Sequence, residues 1–304
     1  MVTVVRAEPD RRAAALMVLY SRLPPGERES KFAVALDAWR QGVLLLDDLW
    51  VARCGDADIG AILAVRQPGS TALLWPPEVI DIDGDGAGQI ADLLIRAAGR
   101  GLDEQGVLFT QVLLEPGDIV NRELMTRNGF PQRAELLLLE RDFIEPLPTM
   151  PVVPWEVVPF QESERARFAS IIERTYQETR DCPSLSGVRS GGEALVAHRA
   201  SGVFEPARWS VFQQAGRDVG ALLLADHPDR NQWEVVYLGV LPELRGRGFG
   251  RAMLTFGLHQ ARAAGRSGMF LAVDAANSYA VSIYKTLGFQ GDFRRVVHLR
   301  LRGE

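Results

Sequence analysis

The chain has few of the residues that build disulfide frameworks or metal sites. Its 304 residues include two cysteines, Cys54 and Cys182, which lie far apart and in no Cys-x-x-Cys pair. Disulfide scaffolds and zinc fingers need several cysteines, or cysteines and histidines, at fixed spacing, so both classes are excluded. We therefore expect a reducing, cytoplasmic compartment and no metal.

An excess of positive charge is also absent. The 34 Lys and Arg residues stand against 39 Asp and Glu residues, which gives a net charge of −5. Because dedicated nucleic-acid-binding proteins present a basic surface, we expect no nucleic-acid partner, although a local basic patch is compatible with an acidic total. No apolar run reaches the ~20 residues that span a bilayer, and the first residues lack a signal-peptide pattern, so we expect no membrane partner.

The chain length favours about two domains of roughly 150 residues each. Residues 146–154 contain four prolines, which restrict φ and favour an extended linker. We therefore predict one domain over residues 1–145 and a second over residues 155–304, joined by a linker over residues 146–154.

In both halves, apolar runs of strand length alternate with segments of helical periodicity. In the first half we predict strands at 2–6, 48–53, 59–66, 72–75, 107–114 and 136–141, and helices at 10–21, 28–41, 89–98 and 119–127. In the second half we predict strands at 155–159, 208–214, 219–225, 234–240, 268–274 and 295–301, and helices at 163–177, 192–200, 249–264 and 277–287, the first of these capped by Ser163. The order predicts an α/β (α+β) fold with a mixed central sheet flanked by helices.

One dipeptide suggests that the fold is used twice. Gly129-Phe130 and Gly288-Phe289 are 159 positions apart, and each follows a predicted helix and precedes a predicted strand. A self-similarity of about half the chain length indicates a duplicated domain rather than a solenoid of short repeats.

Residues 237–250 run from an apolar strand through a glycine-rich turn into a long helix. Glycines let backbone N–H groups approach a ligand closely, and a helix N-terminus adds unpaired donors and a positive partial charge. This arrangement suits a diphosphate, to which Arg245 and Arg247 can add charge-assisted hydrogen bonds. From these residues alone, a tight turn without a ligand is an equally good interpretation.

The spacing narrows the choice of ligand. No Lys-Ser/Thr follows the glycines as in a P-loop, and Arg251 occupies the position of the third glycine in a Rossmann fingerprint. The turn instead resembles the Arg/Gln-x-x-Gly-x-Gly/Ala signature of the GNAT family of acyl-CoA-dependent N-acyltransferases, which Arg245, Gly248 and Gly250 match. The preceding Val-x-Pro at residues 240–242 also resembles the strand exit of that family.

A second block supports this resemblance. Residues 277–289 are similar to the family's C-terminal Asn-x-x-Ala-x-x-x-Tyr-x-x-x-Gly-Phe, which is matched by Asn277, Ala280, Tyr284, Gly288 and Phe289. Asn277 and Tyr284 are seven positions apart, about two helical turns, so they share one helix face. The resemblance covers roughly the last half of the chain.

The resemblance implies acetyl-CoA, or another acyl-CoA, as donor, held where the central strand splays from its neighbour. A backbone N–H near Val240 would polarise the thioester, Asn277 would contact the pantetheine arm, and Tyr284 would protonate the departing thiolate. The alternative for Tyr284 is a core aromatic beside Phe289. The implied donor-binding residues are Leu238, Gly239, Val240, Arg245, Gly246, Arg247, Gly248, Phe249, Gly250 and Asn277.

The family's histone-type members carry their base glutamate eleven residues before the first signature residue, and here that position is Glu234. Other members place the base elsewhere or work through water, and a solvated carboxylate at a strand start is the alternative interpretation. Tyr237 and Asp274 are lesser candidates. The histidines have no supporting pattern and are expected at the surface or in packing; they are His198, His227, His259 and His298.

The first half departs from the family pattern. At the 159-residue offset, Met125 stands for Tyr284 and Asp118 for Asn277, and no Arg/Gln-x-x-Gly-x-Gly occurs where the phosphate loop belongs. We expect a degenerate copy that has lost tight CoA binding and helps to shape the acceptor site. The acidic run Asp81-x-Asp83-x-Asp85, with Asp92 at the twelfth position, also resembles an EF-hand loop, but a solvated acidic turn is favoured.

These expectations converge on an N-acyltransferase built from two GNAT-like domains, with its active site in the second and direct attack by a small-molecule or peptide amine. Neither cysteine has the partners of a ping-pong nucleophile. The tandem layout is similar to that of the mycothiol synthase family, an analogy of architecture that does not fix the acceptor. The alternatives are a non-catalytic acyl-CoA-binding or regulatory module and a protein acetyltransferase acting on a peptide amine or lysine; either a monomer or a homodimer is expected.

Overall fold

A computed structural model describes residues 1–80 and 85–304, with Asp85 described by its backbone alone. The chain forms two compact units, one made of Met1–Arg133 with Val296–Glu304 and the other of Ala134–Arg295. The division does not fall in the proline-rich segment 146–154. Strand pairing explains this, because the strand that precedes the prolines pairs inside the second unit and the last strand of the chain pairs inside the first.

The first unit is a mixed sheet with helices. In chain order it contains β1 (Val2–Arg6), α1 (Arg12–Val18), α2 (Pro25–Arg40), β2 (Leu49–Cys54), β3 (Ala57–Gln67), β4 (Thr71–Leu74), β5 (Glu78–Val79), α3 (Asp85–Glu104), β6 (Phe109–Leu114) and α4 (Ile119–Arg127). Strands β1 to β4 pair antiparallel in order, β5 pairs antiparallel with β3, and β4 pairs parallel with β6. Residues 296–301 complete the sheet by pairing antiparallel with β6.

The second unit has the same kind of sheet. Its elements are β7 (Gln132–Asp142), β8 (Glu156–Pro159), α5 (Arg165–Thr175), α6 (Gly191–Arg199), β9 (Trp209–Gln214), β10 (Arg217–His227), β11 (Gln232–Val240), α7 (Phe249–Ala263), β12 (Gly268–Asp274), α8 (Ser278–Thr286) and β13 (Gln290–Leu301), whose last six residues belong to the first unit. The strand order is β8-β9-β10-β11-β12-β7, and the β11–β12 pair is parallel in an otherwise antiparallel arrangement. The predicted mixed α/β fold is confirmed.

Two apolar clusters cover the two faces of this second sheet. Trp233 and Val235 of β11 pack with α7 and α8, whereas Val236 and Tyr237 pack with α5 and α6. Because side chains alternate along a strand, two consecutive residues on one face require an irregularity. It is a bulge, seen as a register shift opposite Leu223 and Leu224 of β10.

The duplication is visible in matched helix ends. Asp118 caps α4 by accepting from Asn121 N, and Asn277 caps α8 by accepting from Ala280 N, each at 3.2 Å. Gly129 and Gly288 follow the two helices with φ of 83° and 84°. All of these positions correspond at the 159-residue offset, so the same start and stop signals occur in both halves.

Local predictions differ most at helix starts. Helix 119–127 and strand 268–274 are found at the predicted bounds, but the prediction that Ser163 caps a helix is wrong. Residues Glu162–Glu164 form a 3-10 turn, and α5 begins at Arg165 without a side-chain cap. Ser190 instead caps α6 in a reciprocal capping box with Glu193, a Ser-x-x-Glu signal that was present in the sequence. None of the helices over residues 1–80 and 85–304 is both long enough and apolar enough to cross a membrane.

Candidate active site

The site begins where β11 and β12 part. The two strands pair in parallel over Gln232–Glu234 and Gly268–Phe270, and no further pairing joins them in the part of the chain that the structure describes. On its other side, β11 stays paired with β10 as far as Val240. Beyond Glu234, the β11 edge that faces β12 is therefore open, and its backbone groups are available to an extended ligand. The fork has the geometry that the family resemblance implied.

The open edge leads directly into the glycine-rich turn. Gly246 and Gly248 have φ of 75° and 82°, a region that favours glycine, and added Cβ atoms there would meet nothing within 4 Å. Backbone conformation, rather than lack of space, therefore requires these glycines. A Cβ on Gly250 would lie 3.6 Å from Val240 Cγ2, an ordinary contact, which fits a signature that allows Gly or Ala at this position.

Helix α7 starts from this turn without a side-chain cap, since Gly248 is its N-cap residue. The first N–H groups of the helix thus keep their hydrogen-bonding capacity, and the helix dipole adds a positive partial charge at the same end. Gly246, Arg247 and Gly248 are solvent-exposed. An uncapped helix start with an exposed arginine fits the pyrophosphate of a CoA thioester.

Arg245 has a different side-chain role from the one predicted. Its Nη2 donates to Thr175 O at 2.8 Å, its Nη1 to Glu178 O at 3.2 Å and its Nε to Val240 O at 3.2 Å. The guanidinium thus ties the end of α5 to the end of β11, with its Nε and both Nη atoms engaged by backbone carbonyls. Of the two arginine side chains predicted to reach a diphosphate, Arg247 is the one left for that role.

Tyr284 lies on α8 with its ring 6.0 Å from that of Phe289. Burial raises the pKa of the Tyr284 phenol above its ordinary value, and the nearby Asp181 carboxylate raises it further. The hydroxyl has no hydrogen-bond partner among the residues described. A neutral phenol with a free O–H is a proton donor, which suits the predicted acid role.

Glu234 is the last residue of β11 that pairs with β12, so it lies at the fork itself. Its Oε2 is 2.8 Å from Nε2 of His227, the last residue of β10, and both side chains are about one-fifth exposed, at 23% and 22%. The expectation that His227 has no supporting group is wrong. Its ring also contacts Phe270, with ring centroids 5.0 Å apart, which fixes its orientation toward the carboxylate.

The lesser base candidates have other partners. Asp274 accepts from Cys182 N at 3.2 Å and from Ala276 N at 3.0 Å, so its carboxylate holds a loop and the start of the α8 turn. Tyr237 contacts the Thr175 hydroxyl, and burial raises the pKa of its phenol, which disfavours the phenolate that a base requires. Neither geometry supports proton abstraction.

Three other predictions concern packing positions. Asn277 is the N-cap of α8, and its Oδ1 accepts from Ala280 N at 3.2 Å. Leu238 and Val240 pack on the α7 side of β11, and Gly239 lies between them. His298 Nδ1 and His259 Nε2 contact Phe130 O at 2.8 Å and Pro148 O at 2.9 Å, as expected of packing histidines.

Sequence reasoning missed the loop that follows α5. Asp181 Oδ1 accepts from Asp274 N at 2.8 Å, and Cys182 N donates back to Asp274, so the loop is tied to the end of β12. Burial, with the two neighbouring carboxylates, raises the pKa of the Cys182 thiol to about 12, which keeps it protonated and unreactive at neutral pH. The loop has no periodic pattern, so no local signal identified it.

Over its described residues, 1–80, 85–133 and 296–304, the first unit shows no comparable site. Met125, at the position of Tyr284, is fully buried in the core, and Asp118 is a helix cap. The EF-hand alternative falls partly on residues 81–84, outside the described residues. Its twelfth residue, Asp92, is paired with Arg127 at 2.9 Å and accepts from Asn128 at 2.6 Å. Outside that undescribed segment, no three His, Cys, Asp or Glu side chains cluster to hold a metal.

Comparison with known proteins shows what this region is similar to. Residues 172–289 match the Acetyltransferase (GNAT) family. Mycothiol acetyltransferase of Streptomyces griseus is 29% identical over 145 residues, which cover 44% of this chain and 47% of that protein. The enzyme of the same name from Thermomonospora curvata is 37% identical over 97 residues, 32% of each chain. The chain thus spans about half, or less, of the length of these two relatives. A third relative, mycothiol acetyltransferase of Acidothermus cellulolyticus, is 26% identical over 82% of this chain and 76% of that protein.

Solved structures show the same fold across the whole chain. A GCN5-related N-acetyltransferase from Sphaerobacter thermophilus is 17% identical with a TM-score of 0.60, covering 99% of this chain and 96% of its own. A tandem GNAT protein from the clavulanic acid biosynthesis pathway is 14% identical with a TM-score of 0.51, covering 100% and 99%. Residues 172–289 thus match the model of the GNAT acetyltransferase family, and the fold of the whole chain is similar to that of a tandem GNAT protein.

Proposed function

We propose that this chain is an acyl-CoA-dependent N-acyltransferase, with acetyl-CoA as its donor, that acylates a primary amine in its second unit. The observation that carries the proposal is the fork after Glu234, which leaves the β11 edge open along the path to the uncapped start of α7. An extended, amide-containing arm with a diphosphate at one end is the ligand that such a path suits. The family match over residues 172–289 supports the same assignment.

The donor supplies a thioester carbonyl, and the residues of this chain handle binding and protons. The backbone of residues 238–240 would pair with the pantetheine arm, and an N–H near Val240 would stabilise charge on the carbonyl oxygen. The N–H groups of residues 248–250 and the Arg247 side chain would hold the pyrophosphate.

The proton balance uses two groups at the fork. The neutral amine attacks the carbonyl carbon, a C–N bond forms, the C–S bond breaks, and the amine loses a proton. Glu234, directly or through a water, accepts that proton, while His227 holds the carboxylate at 2.8 Å. Tyr284 donates its proton to the departing thiolate, which is consistent with a phenol whose pKa is raised by burial.

The test measures CoA release from acetyl-CoA with a panel of amines, beside calorimetric binding of acetyl-CoA. Because the curated relatives are named mycothiol acetyltransferases, the desacetyl form of mycothiol belongs in the panel with peptide amines and lysine. We expect turnover with at least one amine. Tight binding without turnover on any amine would instead indicate an acyl-CoA-binding module.

A matched pair on α8 tests the acid. Tyr284→Phe is expected to lower kcat by about 10²–10⁴-fold with little change in Kd for acetyl-CoA, since it removes the phenolic hydroxyl and keeps the aromatic ring. Tyr279→Phe, on the same helix and 54% exposed, is the control and should retain kcat. Equal activity of the two variants would contradict the acid role.

The location and partners belong to the same proposal. Both cysteines are unpaired, which is consistent with a reducing, cytoplasmic compartment. The acceptor is a small-molecule or peptide amine, and the enzyme acts as a monomer or homodimer without a nucleic-acid or membrane partner.

A further inference from the structure

The space beside Gly239, on the α5 side of β11, is closed by two side chains. A Cβ placed on Gly239 would lie 2.6 Å from Tyr237 Oη and 2.8 Å from Thr175 Oγ1, with Thr175 Cβ at 2.9 Å. These distances are below van der Waals contact, so not even one methyl group fits there without displacing one of the two side chains. The two neighbouring side chains therefore leave room only for glycine at position 239.

The two side chains are held from several directions. Thr175 is 4% exposed, and its Oγ1 donates to Ile172 O at 2.7 Å, so the contact with the Tyr237 hydroxyl uses the tyrosine's own proton. Arg245 Nη2 holds the Thr175 carbonyl at 2.8 Å. The threonine therefore cannot rotate away without losing hydrogen bonds.

The Tyr237 ring is fixed by aromatic packing. Its centroid lies 5.9 Å from that of Tyr176, at an interplanar angle of 88°, and 5.2 Å from that of His198. The edge-to-face Tyr176 ring helps to hold Tyr237 in place beyond its contribution to burial, and the tilted His198 ring packs beside it. Well-packed sites of this kind resist added volume, since an extra methylene forces strained rotamers or backbone shifts.

We propose that Thr175 and Tyr237 form the closed end of the acyl site and set the length of the acyl group that the enzyme accepts. The inference rests on the proposed function, in which residues 238–240 lie beside the thioester. An acetyl group ends before this barrier, whereas propionyl and butyryl groups would have to displace the tyrosine. Arg245 is a positioning residue for the barrier, because it fixes the end of α5.

The experiment compares acetyl-, propionyl- and butyryl-CoA with the full chain, by kcat/KM on one accepted amine and by calorimetric Kd without an amine. One surplus methylene in a tight apolar pocket changes kcat/KM by about 10- to 200-fold, so we expect acetyl-CoA to exceed butyryl-CoA by about 100-fold or more. Tyr237→Phe, which removes the oxygen nearest Gly239, should shrink that ratio about 10-fold. Thr175→Ala should act in the same direction.

The control is Tyr176→Phe, at the C-cap of α5, whose hydroxyl accepts from Arg189 Nη2 at 3.3 Å and is not among the three atoms nearest a Cβ on Gly239. It should leave the acetyl-to-butyryl ratio within about twofold of wild type, a readout that general destabilisation would not shift selectively. If Thr175→Ala does not fold, Tyr237→Phe carries the test, and Thr175→Ser, which keeps the Oγ1 and Cβ atoms beside Gly239, should retain the wild-type ratio.

Three results would overturn the proposal. The first is a wild-type protein that binds and uses butyryl-CoA as well as acetyl-CoA. The second is a selective wild type whose Tyr237→Phe and Thr175→Ala variants keep its ratio. The third, no binding of any acyl-CoA, would also refute the proposed function and is distinguished from the first two by the calorimetry alone.

Discussion

Replacing Arg245 tests whether its side chain stabilises the fold or binds the pyrophosphate of the donor. In the structure its guanidinium donates to the carbonyls of Thr175, Glu178 and Val240. A hydrogen bond from a charged group contributes about 1.5–3 kcal/mol, and partial exposure reduces this to about 1 kcal/mol per bond. Arg245→Ala should therefore lower the free energy of unfolding by about 2–4 kcal/mol, a large share of the 5–15 kcal/mol typical of a domain.

The assay is urea unfolding together with limited proteolysis of the segment after α5 and calorimetric binding of acetyl-CoA. Arg245→Ala should shift the urea midpoint without a change in m-value and expose residues 176–190 to cleavage. Arg245→Gln retains two amide donors and should recover part of the loss, which fits a signature that allows Gln. The matched control is Arg247→Ala in the same turn, exposed and expected to weaken acetyl-CoA binding in a salt-dependent way while leaving stability unchanged.

The opposite pattern would refute the reasoning. If Arg245→Ala stays within about 0.5 kcal/mol of wild type in stability and weakens acetyl-CoA binding tenfold or more, the side chain binds the pyrophosphate and not the backbone of α5. The two arginines then exchange roles, and the barrier beside Gly239 loses one of its supports.

The other predictions concern proton groups and strand membership. Burial raises the pKa of the Tyr284 and Tyr237 phenols in the folded protein. The stability that the two neutral phenols contribute is therefore complete below the unfolded pKa of ~10 and is lost as the pH rises further. Tyr237→Phe should flatten the decline in urea midpoint above pH ~10. His227→Ala, which frees Glu234, should lower kcat about tenfold at unchanged KM for acetyl-CoA, with partial rescue in His227→Gln; retention of full kcat would contradict the pairing. Deleting residues 296–304 removes a strand that pairs with β6 and three buried apolar side chains, each of which stabilises the fold by about 1.5–3 kcal/mol. Circular dichroism and sedimentation should then show loss of the folded first unit. A cooperative, wild-type-like melt would count against the strand assignment.

The features that the sequence predicted well depend on residues that are close together in the chain. The strand exit, the positive-φ glycines and the uncapped helix start occur within residues 237–250, so their consequences depend on neighbours in the chain. The same holds for α8, whose cap and closing glycine lie within one helix length of Tyr284. Such features follow from spacing and backbone conformation, which a single sequence displays.

What the sequence missed depends on distant partners. The contacts of Arg245 join positions about 70 residues apart, and the second unit begins before the proline-rich segment because β7 pairs with β12, whose sequence lies far along the chain. The contact between His227 and Glu234 lies between these two cases, since it is neither within one element nor between distant parts of the chain. The two residues belong to one hairpin, and diagonal neighbours across an antiparallel pair are within reach, so the hairpin alone was a usable signal.

Comparison of α4 with α8 shows which features the two copies share and which differ. Each begins at a side-chain cap and ends at a positive-φ glycine, and in each the following phenylalanine N–H bonds back at 3.0 Å, from Phe130 to Met125 O and from Phe289 to Tyr284 O. These contacts fix the course of the chain and are the same in both copies. The side chains at the two acceptor positions differ, because Met125 is completely buried as core whereas Tyr284 is partly exposed and its hydroxyl has no hydrogen-bond partner among the described residues. The folding signals are therefore shared, whereas the side chains are not, and a tyrosine at position 125 would enter the apolar core that Met125 occupies. Under the proposed mechanism, the acid role thus depends on the surroundings of the residue as much as on its identity.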